Sequence, residues 1–161
     1  EQIESISLDY QSRTSVALLK ILLKEYWQLN PELIKADIGF EENIKYQNAA
    51  LVIGDRAFAL NTKYAYIYDL SAIWKEMTGL PFVFAAWVAN KKLPQDFIVD
   101  FNKSLKNGLS DIDAALNFKG NNYPFCEKPK DYLSNKITYN LDSEMRKGME
   151  LFLRKVTNQI I

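Results

Sequence analysis

The run Asn48-Ala-Ala-Leu-Val-Ile-Gly-Asp-Arg-Ala-Phe58 constrains the fold of this chain more than any other stretch. Its centre, Ala49 to Ile53, has the length and apolar content of a fully buried strand, and Gly54-Asp55 ends it abruptly. Open α/β sheets bind ligands beyond the carboxyl ends of their strands, so the Asp55 carboxylate stands where a ligand could sit.

The neighbouring segments extend that pattern. Ile3 to Leu8 reads as a strand ending at Asp9, and Val16, Leu19, Leu22, Leu23 and Tyr26 recur at helical spacing up to about Trp27. Asn30-Pro31 breaks that helix, and Leu33 to Phe40 is an expected strand. Arg56 to Leu60 forms a helical turn. Ala65 to Asp69 reads as another strand, and Leu70 to Thr78 as a helix capped by Gly79 and stopped by Pro81. Phe82 to Val88, uncharged and rich in aromatic and β-branched residues, is the most strand-like run of all. Helices follow: one from Pro94, with Gly108 as a kink or break, a continuation over Asp111 to Phe118, and a short one over Lys130 to Lys136. Gly120 to Pro124 is a loop, and Leu141 to Ile160 is a long helix with Met145, Met149, Phe152 and Val156 on one face. Strands alternating with helices, then helices alone, predict an α/β lobe followed by a helical continuation, crossing between them within Phe82 to Asn90.

Composition narrows the function. The chain has 161 residues, 48% of them hydrophobic, which suffices for a well-filled core. Twenty basic residues balance twenty acidic ones, so no charge excess favours nucleic acid or an anionic membrane as partner. Leu80 to Ala89 is too short an apolar run to span a bilayer. With no histidine and one cysteine, the chain lacks the usual general base and every Ser-His or Cys-His device. Cys126 cannot form an internal disulfide, which fits a reducing, cytoplasmic setting. The chain opens at Glu1 without methionine, so its natural start is expected upstream.

Two constellations carry potential chemistry. Ser12-Arg-Thr-Ser15 begins a helix, where free N–H groups and the helix dipole attract anions. Ser12, Thr14 and Ser15 add hydroxyl donors, and Arg13 adds a fork suited to a carboxylate. Plain helix capping with a solvated Arg13 is the other reading of these residues. Gly54-Asp55 either meets a ligand or makes an ordinary turn in which Asp55 pairs with Arg56. Trp87 and Asn90, near the expected crossing, are the aromatic and amide groups best placed to leave the core. No glycine-rich phosphate loop is present, and no metal site is defensible from spacing.

Three ordered blocks carry a more specific resemblance: LDxxSRTSVALLKILL from Leu8 to Leu23, ALVIGDRA from Ala50 to Ala57, and DLxxxWKExTGLPFVFAxW from Asp69 to Trp87. In these the chain resembles the chorismate dehydratase family of the futalosine route to menaquinone. The resemblance implies a fold like a type II periplasmic binding protein, with two α/β lobes around a cleft. Residues 1–81 then correspond to the second lobe with its anion-binding helix start. Residues 82–161 correspond to the return crossing and the terminal helices of the first lobe, whose opening part is expected to lie outside this sequence.

The implied reaction removes water from chorismate to give 3-(1-carboxyvinyloxy)benzoate. Aromatisation drives it, so no metal or redox cofactor is needed. In this reading Ser12, Arg13, Thr14, Ser15, Gly54, Trp87 and Asn90 bind the dicarboxylate substrate and Asp55 is the catalytic candidate. A non-catalytic anion-binding protein of the same fold, or the sister naphthoate-forming enzyme of the pathway, are the alternatives.

Overall fold

Helix α1, Arg13–Leu22, is apolar on two faces, and that property organises the layers around it. The computed structural model describes residues 3–60, 63–118 and 126–160. It divides into two units, Glu1–Phe84 with Leu141–Ile161, and Ala85–Asn140. It is mixed α/β, with a small parallel sheet and helices around and after it.

In the first unit, β1 (Ser5–Leu8) lies between β2 (Glu32–Lys35) and β3 (Asn48–Ala50), both parallel to it. Ile6 stands opposite Leu33 on one side and Ala49 on the other. Parallel neighbours need a crossover, and α1 supplies the one from β1 to β2. Its last turn widens to π geometry over Leu23–Trp27 and ends at Gln28 in the left-handed region.

Leu19 and Leu23, one turn apart, are buried with Ile6 and Leu51 against the sheet. Leu18, Ile21 and Leu22 are buried on the other side with Trp74 and Phe152. Trp74 belongs to α3 (Leu70–Thr78) and Phe152 to α7 (Ser143–Ile160). Helix α3 is capped as its sequence requires. The Asp69 carboxylate accepts from the Ser71 and Ala72 amides, and the Gly79 N–H donates to the Lys75 carbonyl at 2.7 Å. Helix α7 lies close to the chain at Pro81: a Cβ on Gly148 would fall 2.1 Å from the Pro81 carbonyl oxygen. Between them the Phe82 ring packs edge-on against Trp74 and Phe152.

The second unit is built from α4 (Gln95–Leu109), α5 (Ile112–Phe118) and α6 (Pro129–Asp131), the last prolonged by a π turn over Tyr132–Lys136. Asp111 caps α5 by accepting from the Ala114 amide, and Lys130 pairs with Asp113 at 2.6 Å. Trp87 meets Phe101 edge-on, and Phe101 stacks on Phe97.

The expected strands are shortened or absent. The run expected over Leu33 to Phe40 stops at Lys35, with Ala36 adding one more bond to the Leu8 carbonyl. A 3-10 turn, Phe40–Asn43, follows. The Ala49 to Ile53 strand is paired only through Leu51, whose N–H donates to the Ser7 carbonyl, and Ala49 and Ala50 are half-buried rather than fully buried. Ala65 to Asp69 and Phe82 to Val88 form no strand. β-composition requires a neighbouring strand to accept its backbone groups, and neither segment has one among the described residues. Helix α4 runs through Gly108 to Leu109 and α5 starts at Ile112, so the break falls just after Gly108. The expected loop at Gly120 to Pro124 lies outside the described residues.

Candidate functional site at the carboxyl edge of the sheet

The carboxyl ends of the three parallel strands feed three short segments, which carry Asp9 and Ser12, Glu41, and Asp55 and Arg56. After β1, Ser12 takes an extended conformation (φ −131°, ψ 106°) and caps α1. Its Oγ accepts from the Ser15 amide at 3.0 Å, and its hydroxyl donates to Ser15 Oγ at 2.9 Å. Ser15 is buried, Thr14 half-buried and Arg13 exposed. The first turn of α1 contains no acidic residue. The capping bonds engage the amides of Ser15 and Val16. The amides of Arg13 and Thr14 make no hydrogen bond among the described residues, so they remain as donors at the positive end of the helix.

After β3, Gly54 turns the chain in the left-handed region at φ +64°, a conformation that a side chain would strain. Its carbonyl accepts from the Ala57 amide at 2.9 Å and starts α2, Asp55–Leu60. Asp55 is exposed, and its carboxylate makes no hydrogen bond or ion pair among the described residues.

Arg56 does not pair with Asp55. Its Nη2 donates to Asp9 Oδ2 at 2.6 Å and its Nη1 to Glu41 Oε1 at 2.5 Å, with Gln11 Oε1 a longer third partner at 3.3 Å. The guanidinium also lies over the rings of Tyr10 and Phe40. Burial works against its charge, but the hydrogen bonds and charges of Glu41 and Asp9 outweigh that, so its pKa is raised. Asp9 is buried, with none of its side chain exposed. It also accepts from the Gln11 amide at 2.8 Å and from the Ile53 amide at 3.1 Å. Ile53 thus leaves the strand ladder to bind a carboxylate.

Through Asp9 these bonds join Gln11, just before the Ser12–Ser15 helix start, to Ile53 and Arg56 on either side of the Gly54–Asp55 turn. Trp87 and Asn90 belong to the second unit, where both are exposed, Trp87 to 80%. Asp9 and Arg56 were missed as a pair because nothing local links residues 47 positions apart. The available signal was an acidic residue directly after one strand and a basic one just after another.

A small parallel sheet with a hydroxyl-rich helix start and a carboxylate turn at its carboxyl edge defines a mixed α/β architecture. Within that class the sequence is specific: a profile of the menaquinone biosynthesis family matches residues 1–158, and the chain belongs to that family. It is 37% identical over 106 residues to the chorismate dehydratase of Thermus thermophilus. The aligned stretch makes up 55% of this chain and 38% of that relative.

Proposed function

We propose that this chain is part of a chorismate dehydratase acting in menaquinone biosynthesis. The observation that carries the reading is the α1 start: two amides unengaged among the described residues, three hydroxyls and an exposed arginine, with no acidic residue in the helix's first turn. Such a start suits a carboxylate of a dianionic substrate. Ser12, Arg13, Thr14 and Ser15 bind it, and Gly54 lets the backbone turn beside it. The type II periplasmic-binding-protein-like arrangement belongs to the same proposal. In it residues 1–81 form the second lobe, and residues 82–161 form the return crossing and the terminal helices of the first, with α7 turned back onto α1. A cytoplasmic setting is part of the same reading.

The reaction takes a proton from one ring carbon and hydroxide from its neighbour. The C–H electron pair becomes the third ring double bond, and the proton and hydroxide leave as water. This chain has no histidine, and the base is a carboxylate of the substrate itself or a residue from the rest of the protein. Asp55 accepts a hydrogen bond from the departing hydroxyl, so it acts most strongly as that bond breaks. Positioning and fixed donors supply the remaining acceleration.

Incubating the protein with chorismate and following the aromatic product by ultraviolet absorbance tests this. Asp55→Asn keeps shape and an acceptor oxygen but removes charge; turnover should fall by more than about tenfold with little change in binding. Normal turnover would make Asp55 a turn residue only. Tight binding of chorismate without product would favour a non-catalytic anion-binding protein.

A further inference from the structure

The Asp9–Arg56 pair draws one residue from the end of β1 and one from just beyond β3, while Glu41 comes from the turn after β2. The segments after β1 and β2 therefore each send one carboxylate to the guanidinium that the segment after β3 supplies. A buried carboxylate is costly unless its oxygens are satisfied, and Asp9 receives three donors on two oxygens. Arg56 is equally committed: both terminal nitrogens are engaged by carboxylates, and aromatic rings lie 5.1 and 5.7 Å from its centre. It has little capacity left for a ligand. Arg13, exposed and without an ion pair among the described residues, retains its full capacity.

We propose that Asp9 and Arg56 are positioning residues: their ion pair locks the start of α1 and the Gly54–Asp55 turn into one rigid rim that holds an anionic ligand. The ligand's identity rests on the function proposed above; the rim does not. Two of the backbone amides that the rim fixes, those of Gln11 and Ile53, flank the helix start and the turn, so loss of Asp9 frees both segments at once. Lysine cannot replace Arg56, because a single ammonium does not span two carboxylates as a planar fork does.

Amide hydrogen exchange on the whole chain, with Asp9→Asn, Arg56→Met and Arg56→Lys, tests the rim directly. Asp9→Asn and Arg56→Met should each speed exchange at Gln11 and Ile53 by more than about tenfold while amides within α3 change by less than about twofold. Arg56→Lys restores charge without the fork, so exchange should stay fast. Uniform acceleration along the chain, unchanged exchange at Gln11 and Ile53, or full recovery with lysine would each overturn the rim.

Chorismate titration at a temperature where all variants are folded by circular dichroism supplies the second readout. Arg56→Lys should bind at least about tenfold more weakly, an effect that a merely stabilising pair would not produce in folded protein. Equal affinity overturns the positioning role. A wild-type chain that takes up no chorismate sinks the substrate reading, and the exchange pattern then decides the rim alone.

Discussion

The two units spend their apolar residues in opposite ways. In the first, α1 buries leucines toward both a sheet and a pair of helices, and Trp74, Leu18, Ile21 and Leu22 are fully enclosed. In the second, Leu116 is the one buried hydrophobic residue among the described ones, and α4 has none. Helix α4 is nevertheless as amphipathic in sequence as α1, with Phe97, Phe101 and Leu105 at helical spacing. Amphipathicity makes a helix; only a facing layer turns it into a core. The first unit should therefore carry most of the stability.

The sharpest way to break this contrast is a pair of truncations. Trp74→Ala should destabilise by about 3–5 kcal/mol, because a fully buried aromatic leaves a cavity. Phe97→Ala, at a half-exposed position, should cost less than about 1 kcal/mol. Urea denaturation measures both. Equal losses would mean that the second unit holds a core as dense as the first.

Two helical glycines give a contrast in sign. Gly148→Ala places a methyl into the Pro81 carbonyl and should destabilise by about 1–3 kcal/mol or more. Gly108 has nothing within 4 Å of its would-be Cβ. Gly108→Ala should stabilise α4 by about 0.5–1 kcal/mol through helix propensity. Thermal melts that shift in the same direction for both variants would contradict the packing difference.

At the carboxyl edge, Thr14→Ala combined with Ser15→Ala should weaken chorismate binding by more than about tenfold, since lost charge-assisted hydrogen bonds are worth roughly 1.5–3 kcal/mol each. Calorimetry on folded protein gives the number. Unchanged affinity returns the motif to helix capping.

The smallest effect concerns Tyr26, whose hydroxyl donates to Glu76 at 2.5 Å and so ties the end of α1 to α3. That bond, burial and the Glu76 charge raise its pKa above the ordinary tyrosine value. A raised folded-state pKa contributes stability that is complete below the unfolded value, near 10, and is lost as pH climbs through the folded one. The advantage of wild type over Tyr26→Phe should be flat through neutral pH and shrink in alkali. An advantage that grows with pH would reverse the sign of the linkage.

How much was legible in the sequence divides along the same physical line. The Ser12 cap, the amphipathic run of α1, the Asp69 and Gly79 caps of α3, and the buried Phe152 of α7 follow from residues within one or two turns of each other. A helix satisfies its hydrogen bonds locally, so its sequence suffices to specify it. Ser12 to Ser15 and Gly54-Asp55 were legible as a candidate site for the same reason, being local punctuation at element ends.

What only the tertiary structure decided was every matter of partnership. Phe82 to Val88 has the composition of a strand yet forms none, because a strand exists only where another strand takes its backbone groups. Asp55 was the natural neighbour for Arg56, but the guanidinium bonds Asp9 and Glu41 instead. A buried carboxylate with no other countercharge attracts a cation far more strongly than an exposed one that water already solvates. The sequence alone determined where helices start and stop and which residues could meet an anion. Folding chose which charges pair and which strand-like runs find a ladder, because those choices depend on distances between residues far apart in the chain.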